Sequence, residues 1–598
     1  MKRIVFFLKN SYKKSIDGTG LAVFRIAYSI VLLCEIMQMF YFKELIFDKI
    51  PFIDKAEINF GIPIAIWFIS VLFILFGFFT RFATIINYLM GLILIGSIRS
   101  YEYHVFYAYM GINFALIFLP ISKCLSLDRL LLKLKYSNTT FQYNPPKSIS
   151  QIYYYIIPFL GLGLVYFDSI FYKLASEMWI NGLGSWLPSS LPMITHVNTS
   201  VILNQEYLMK TVGWLTILFE FSFLFLFFRK KWRVPLAIIG LILHFGILLQ
   251  FPIPWFALTA IVIYILMLPV SFYKKVFTTN KIKQNLFFYY DSECPLCIRT
   301  KIIISHLDWF NKIGFKTVQF DSQNHEKLVD LELDKLLEDI HSVDTRNNVY
   351  SGVDTYIQVF RRIFYLYPLY LLLNIPGIYH LAKKIYSYIA KNRDTERCTE
   401  DNCGYNPPLI PDNEKIKIFK SFTIYDLKGK LIINFLMLFT FLQIGILYNS
   451  WAISNIKESI GFKDTKLDYV LSKAVKIYSL VTKTAFGVTA HPVFSDKIHF
   501  DNYNHIIAVV YLDNQGKEIW LPIIDKNGQP ESYIYGSNWV NWTFRVNKTN
   551  VEKDELAKGV ERYTAFWSIK NNISLGYAKF KIVVKKNRSC KTLGKRFS

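Results

Sequence analysis

Two cysteines stand two residues apart in Asp291-Ser292-Glu293-Cys294-Pro295-Leu296-Cys297, and this is the most reactive spacing in the chain. A thiolate at the first position can attack a disulfide, and a thiol one helical turn away can resolve the mixed product. The same residue types could also form half of a zinc set, or pack as two small apolar side chains. The flanking pattern favours exchange. Gln284–Tyr290 predicts a buried strand and Ile298–Leu307 a helix, so Cys294 falls at a strand-to-helix turn with Pro295 at the first helical position. Unpaired backbone N–H groups and the helix dipole stabilise a thiolate there.

Five more cysteines are present. Cys398 and Cys403 form a second pair, either another exchange pair or zinc ligands, although their distance from the first pair is loose for a zinc ribbon. No metal is expected. Cys34 and Cys124 sit in or beside apolar helices as packing residues, and Cys590 is alone in the tail. Outside the cysteines, ionisable residues in apolar stretches are functional candidates by default. They are Lys173, which ends Tyr166-Phe167-Asp168-Ser169-Ile170-Phe171-Tyr172 and precedes Trp179, together with His104 and His244. Each has a plain alternative: the lysine can snorkel to the membrane surface, and the histidines can be hydrogen-bonded packing residues.

The elements that must position these groups read as membrane helices. The 598-residue chain is 53% hydrophobic and only 19% charged, which is apolar for a soluble protein. Its +24 net charge does not signal nucleic-acid binding, because the basic residues cluster beside apolar runs. Eight spans are predicted, near Leu21–Phe40, Ile62–Thr80, Phe82–Ile98, Val105–Leu119, Ile152–Tyr172, Thr211–Phe228, Val234–Leu249 and Trp255–Val270; a ninth is Leu431–Leu447. The basic loops, with Lys123, Arg129, Lys133 and Lys135 or Arg229 to Arg233, put the N-terminus and Ser271–Lys430 in the cytoplasm. The first fourteen residues predict an amphipathic interfacial helix.

The expected organisation is therefore multidomain. A helical multipass membrane domain (1–275) is followed by a cytoplasmic α/β insert (283–410), one further transmembrane helix (425–450) and an extracytoplasmic β-rich domain (451–598). In the insert, strands at Thr317–Phe320 and Val349–Ser351 alternate with helices at Asp330–Ile340 and Asp354–Ile363, a thioredoxin-like rhythm. A hairpin is predicted from His505–Leu512 to Glu518–Ile524 around Asp513-Asn514-Gln515-Gly516. Asn406-Pro407-Pro408 and Pro411-Asp412-Asn413 mark a linker.

The D-x-x-C-x-x-C stretch, with Ser351-Gly352-Val353-Asp354-Thr355, Ile375-Pro376-Gly377 and Ile389-Ala390-Lys391-Asn392-Arg393, resembles the DCC family of thiol–disulfide oxidoreductases. The resemblance covers 285–405. It implies Cys294 as nucleophile, Cys297 as resolving thiol, a redox-active disulfide, and a protein thiol or disulfide as substrate. It carries Asp291 over as a motif residue without a role.

The span with Tyr166, Phe167, Lys173 and Leu174, then Trp179 and Gly182, is similar to vitamin K-dependent γ-carboxylases and their bacterial HTTM relatives. His104–Gly111, Ser126-Leu127-Asp128-Arg129 and His244 with Phe251–Trp255 extend the match, with a weaker echo at Phe486-Gly487. This resemblance implies a reduced quinone deprotonated by Lys173, with His104 linked to carboxylation. His244, Tyr166 and Trp179 would then line the pocket. Ser169-Ile170 replaces a small Ala-Gly pair of that family, so Ile170 is expected to narrow the pocket.

The resulting expectation is a multipass protein of a bacterial-type inner membrane, in contact with lipid and not with nucleic acid. It joins a cytoplasmic dithiol to a carboxylase-like, quinone-binding bundle. The alternative is a non-enzymatic maturation or transport factor whose external part binds a secreted partner, with the cysteines holding zinc.

Overall fold

The computed structural model describes residues 2–98, 101, 104–139, 141–197, 199–278, 284–392, 417–419, 422–492, 494, 505–546, 553–576 and 578–586. Cys398, Cys403, Cys590 and the expected linker lie outside them.

The first part is a helical bundle. It contains α1 (Lys2–Lys13), α2 (Thr19–Tyr41), α3 (Gly61–Phe76), α4 (Thr80–Ser97), α5 (His104–Leu116) and α6 (Leu127–Lys135). There follow α7 (Tyr153–Lys173), α8 (Glu206–Leu226), α9 (Lys230–Gln250), α10 (Pro254–Tyr264) and α11 (Val270–Thr278). α7 has a π turn at Phe159–Gly163, directly after Pro158. Proline lacks the N–H for a regular helical bond, and a π turn widens the helix locally.

Six helices among the described residues are long and apolar enough to cross a membrane: α2, α4, α7, α8, α9 and α16 (Ile424–Leu447). They mark the chain as a membrane protein. Three of the nine expected spans differ. α3 has 16 residues, short of the usual span. The Tyr-rich fourth is only α5, 13 residues with ten of them buried in the bundle. The eighth breaks by 91° between Met267 and Val270, which turns α11 away from the direction of α10.

The insert starts with β1 (Leu286–Tyr290), α12 (Pro295–Leu307) and β2 (Ile313–Thr317). β3 (His341–Asp344), β4 (Val349–Ser351), α13 (Val353–Arg362), α14 (Tyr367–Leu373) and α15 (Pro376–Lys391) complete it. The sheet order is β2-β1-β3-β4, with β1 and β2 parallel and both other pairs antiparallel. β1 is covered on both faces, as its nearly continuous apolar run requires. Leu286, Phe288 and Tyr290 face one cluster with Cys294 and Cys297, while Tyr289 faces another with Val318 and Leu337. The second expected strand is shifted: Val318–Asp321 is a helical turn, held where the Asp321 carboxylate accepts Thr317 N–H at 2.7 Å. The helix expected at Asp330–Ile340 shortens to Leu333–Glu338.

Among the described residues beyond α16, helix outweighs strand, which corrects the β-rich expectation. α17 (Lys466–Phe486), α18 (Tyr533–Val546) and α19 (Lys553–Lys570) accompany a three-stranded sheet of β5 (His505–Leu512), β6 (Glu518–Trp520) and β7 (Lys579–Lys586). The expected hairpin forms, with Glu518 opposite Leu512. The reason for the difference is packing. Aromatic side chains of α18 and α19 join the core of the first bundle, where Phe42 meets Tyr535 at 4.9 Å and Phe566 at 5.4 Å.

Candidate functional site

Five of the residues singled out in the bundle line one cavity of about 270 Å³: His104, Tyr166, Lys173, Trp179 and His244. α7 contributes Gly161 from its π turn and then Tyr166, Ser169 and Lys173, so one face of a single helix runs along the wall. Ile170 is buried but is not part of this wall, so its branched side chain does not narrow the cavity as expected.

Lys173 does not snorkel. It is 4% exposed, and its ammonium donates to both oxygens of the Glu220 carboxylate on α8 at 2.5 Å. It also lies 4.5 Å from the centre of the Trp179 ring. Bidentate pairing and a cation–π contact offset part of the cost of burying the charge. His244 donates from Nδ1 to the Gly240 carbonyl at 2.9 Å, which leaves Nε2 as the acceptor facing Tyr166 O–H at 3.3 Å. Tyr166 also meets Tyr264 O–H at 2.7 Å.

The opposite wall comes from far along the chain. Asp168, fully buried on α7, accepts the Gln443 amide at 2.9 Å and the His491 backbone N–H at 2.5 Å. Gln443 in turn donates to the Thr489 carbonyl at 3.0 Å. These bonds hold the segment after α17 against the bundle and set the His491 ring 6.1 Å from that of His104. Trp179 is fixed by its indole N–H on the Phe494 carbonyl at 2.7 Å. Gly487, at φ +68°, is required where the chain turns: a Cβ there would lie 1.9 Å from the Tyr107 carbonyl.

The dithiol lies elsewhere. β1 ends at Tyr290 and α12 begins at Pro295, with Cys294 as its extended N-cap residue. Asp291 holds the connecting turn. Its Oδ1 accepts Glu293 N–H at 2.9 Å and the Gln319 amide at 2.5 Å, while the Gln319 oxygen accepts Ser292 N–H at 3.2 Å. The Cys297 thiol donates to Cys294 sulfur, and the N–H groups of Cys297 and Leu296 point to it. Together they bring the Cys294 pKa down to about 6, against the opposing effects of burial and the Asp291 charge. The lowered pKa favours the thiolate form of this sulfur.

Helix α6 packs on the same apolar cluster, with Leu130 beside the dithiol core. His306 of α12 donates from Nε2 to the Ser126 carbonyl at 2.9 Å, and Lys301 reaches Gln142 at 2.5 Å. Ser126-Leu127-Asp128-Arg129 thus acts as a joint. Ser126 caps α6, and Asp128 accepts Phe79 and Thr80 N–H at 2.8 and 3.0 Å. Arg129 donates to Asn144 at 2.8 Å.

Residues 288–397 match the family model of the DCC1-like thiol-disulfide oxidoreductases. The matched segment is a DCC1-like domain. No curated protein and no solved structure matches the chain.

The sequence singles out Cys294 and Cys297, which fall in the matched segment, and five residues that line the cavity. Glu220, His491, Gln443 and the bonds of Asp168 do not stand out in it, although Asp168 shares a helix with Lys173. Glu220 had a signal of its own: a carboxylate within the apolar run Thr211–Phe228 needs a partner. No group of three or more His, Cys, Asp or Glu among the described residues is arranged to hold a metal ion.

Proposed function

We propose that the chain is a membrane-bound thiol–disulfide oxidoreductase whose working pair is Cys294 and Cys297. The observation that carries this reading is the Cys294 sulfur at the N-terminus of α12, with its pKa near 6 and Cys297 in hydrogen-bond contact. The sheet order, a parallel β1-β2 pair extended by an antiparallel hairpin, supports the thioredoxin-like reading.

The Cys294 thiolate attacks one sulfur of a substrate disulfide, and the other sulfur leaves as a thiolate that takes a proton from water. Cys297 then gives up its proton and attacks Cys294 sulfur, which releases the second substrate thiol. Two electrons have passed to the substrate, and a Cys294–Cys297 disulfide remains. A partner dithiol restores the pair by the reverse steps.

Docking against α6, beside Arg129, Lys133 and Lys135, supports a cytoplasmic placement through the positive-inside rule. α7 has 21 residues, so Lys173 stands roughly 30 Å along the helix axis from Tyr153. Tyr153 lies at the end where α1 and the 147–151 segment meet, which supports opposite faces for the lysine and the dithiol.

The decisive measurement is redox titration of the purified full chain with mass-spectrometric mapping of the disulfide. A reversible Cys294–Cys297 bond at cytoplasmic potentials is expected. Stoichiometric zinc with no such bond overturns the reading.

A second reading concerns the cavity, where the convergence of the five named residues favours a quinone-type ligand. The volume suits a single ring system, and the wall is mostly apolar with a few polar groups, as small-molecule sites are. A bound hydroquinone would supply an acidic O–H at its ring oxygen. Lys173 would orient that oxygen, and since its ammonium is held by Glu220, it must pass a proton to that carboxylate before it can accept another. Trp179 and Phe251 would exclude water from the ring. Extraction in mild detergent and chromatography of bound lipids test this. Quinone that is retained by the chain and lost in Lys173→Met supports it, whereas an empty chain that carries a secreted polypeptide favours a maturation role.

A further inference from the structure

The DCC1-like domain ends in a helical hairpin whose outer face has no cover among the described residues. Neither α14 nor α15 has a single buried residue. α15 divides into three stripes by helical spacing. Tyr379, Ala382, Tyr386 and Ala390 turn inward, where Tyr386 packs on Tyr356 of α13 and donates to Asp339. Next round the helix, Leu381, Ile385, Tyr388 and Ile389 point outward at 58%, 52%, 72% and 47% exposure. On the other side of that apolar stripe lie His380, Lys384 and Lys391.

α14 continues the apolar surface, with Leu369, Leu371 and Leu372 all exposed, and Ile375 joins the two helices. Large apolar side chains exposed along two consecutive helices are a feature of interaction sites. A stripe of large apolar side chains flanked by lysines matches an anionic bilayer surface, with acyl chains under the stripe and headgroup phosphates beside the basic side.

The location agrees. Phe364, just before α14, packs on Phe310 at 5.8 Å, and Phe310 stacks on Phe277 at 5.5 Å. Phe277 lies in α11, which leaves the last helix of the first bundle at 91°. The hairpin therefore begins beside the end of the bundle. Phe364–Leu373 is an apolar helical stretch of ten residues, about 15 Å long, too short to cross a bilayer but long enough to lie in its surface.

We propose that α14 and α15 form a membrane-surface seat: the DCC1-like domain rests on the leaflet through Leu372, Leu381 and Ile385, with Lys384 and Lys391 on anionic headgroups. This goes beyond the exchange reaction and does not depend on it.

The test uses the full chain reconstituted into vesicles of phosphatidylethanolamine and phosphatidylglycerol, with a benzophenone amino acid at Leu381 or at Ser387. Both positions are exposed, so the fold tolerates the change. After illumination, Leu381 is expected to give acyl-chain adducts at least fivefold above Ser387. That yield should drop severalfold when phosphatidylcholine replaces phosphatidylglycerol, and likewise in K384Q/K391Q. Adducts of Leu381 to this chain, to a second copy or to no lipid overturn the proposal, as do equal lipid yields at the two positions.

Discussion

The two candidate sites are built in opposite ways. The dithiol draws its reactive groups from one turn, Asp291 to Cys297, which the Gln319 side chain braces. The cavity gathers its wall from His104 to Phe494: Lys173 is paired with Glu220 inside it, and behind the wall Asp168, bonded to Gln443 and His491 N–H, holds the segment that carries His491. A site of the first kind can lose its chemistry without losing its fold. In the second kind, the polar groups that would serve a ligand also hold the helices together, so function and stability change together.

The largest expected effect sharpens the first half of that contrast. Cys294→Ser should lower disulfide exchange by about a thousandfold or more, because a hydroxyl at neutral pH is not a comparable nucleophile. Its stability cost should stay near 1 kcal/mol, as for most small substitutions. Cys297→Ser should instead accumulate a mixed disulfide on Cys294, visible by mass under non-reducing conditions. If both variants unfold the chain, the dithiol is a packing element and the contrast fails.

In the cavity, Glu220→Gln leaves the Lys173 ammonium buried beside a neutral amide. Removing one partner of a buried pair costs about 3–5 kcal/mol. The unfolding midpoint of the purified chain should fall accordingly. Lys173→Met combined with Glu220→Leu should recover most of the loss, since two apolar groups replace two charges. Recovery of stability without recovery of ligand would separate the two duties of the pair.

Gly487→Ala should act at longer range. A Cβ would meet the Tyr107 carbonyl at 1.9 Å, and a non-glycine residue at φ +68° is already strained. A left-handed conformation and overpacking together cost about 2–4 kcal/mol. Hydrogen exchange should rise first at Val488–His491, the segment that carries His491 to the cavity. If exchange there is unchanged, the Asp168 bonds alone hold the segment.

These outcomes follow the same line that divides what could be read in the sequence from what could not. The strand, the turn, Pro295 and α12 are signalled within about a dozen residues, and they form where expected. The long apolar spans are equally local. α5 has the apolar composition of a span, but its apolar residues face neighbouring helices, and hydropathy does not distinguish lipid from protein. After α16 the one hairpin carries the plain alternating signal of strands, while the helices packed on the bundle have no comparably clear pattern. Glu220 and His491 are visible as residues, but their pairing with Lys173 and Asp168 depends on which helices pack together, and a single sequence does not encode that in any local period.

The smallest effect is the most discriminating for Asp291, which the motif supplies without a role. Its carboxylate is near Cys294, so it either removes the thiol proton or only braces the turn. Its charge pushes the Cys294 pKa up, while Cys297 and the backbone N–H groups pull it down to about 6. The rate of Cys294 alkylation should therefore rise with pH through a midpoint near 6 in the unaltered chain. Asp291→Asn keeps an oxygen for Glu293 N–H and the Gln319 amide, so the turn should hold. Removing the charge should then shift the midpoint lower by a few tenths of a unit. If Asp291 were the base, the same substitution would slow exchange at fixed thiolate fraction and leave the midpoint where it was. A lower midpoint with unimpaired exchange assigns Asp291 to bracing the turn, and slowed exchange at an unmoved midpoint assigns it to proton transfer.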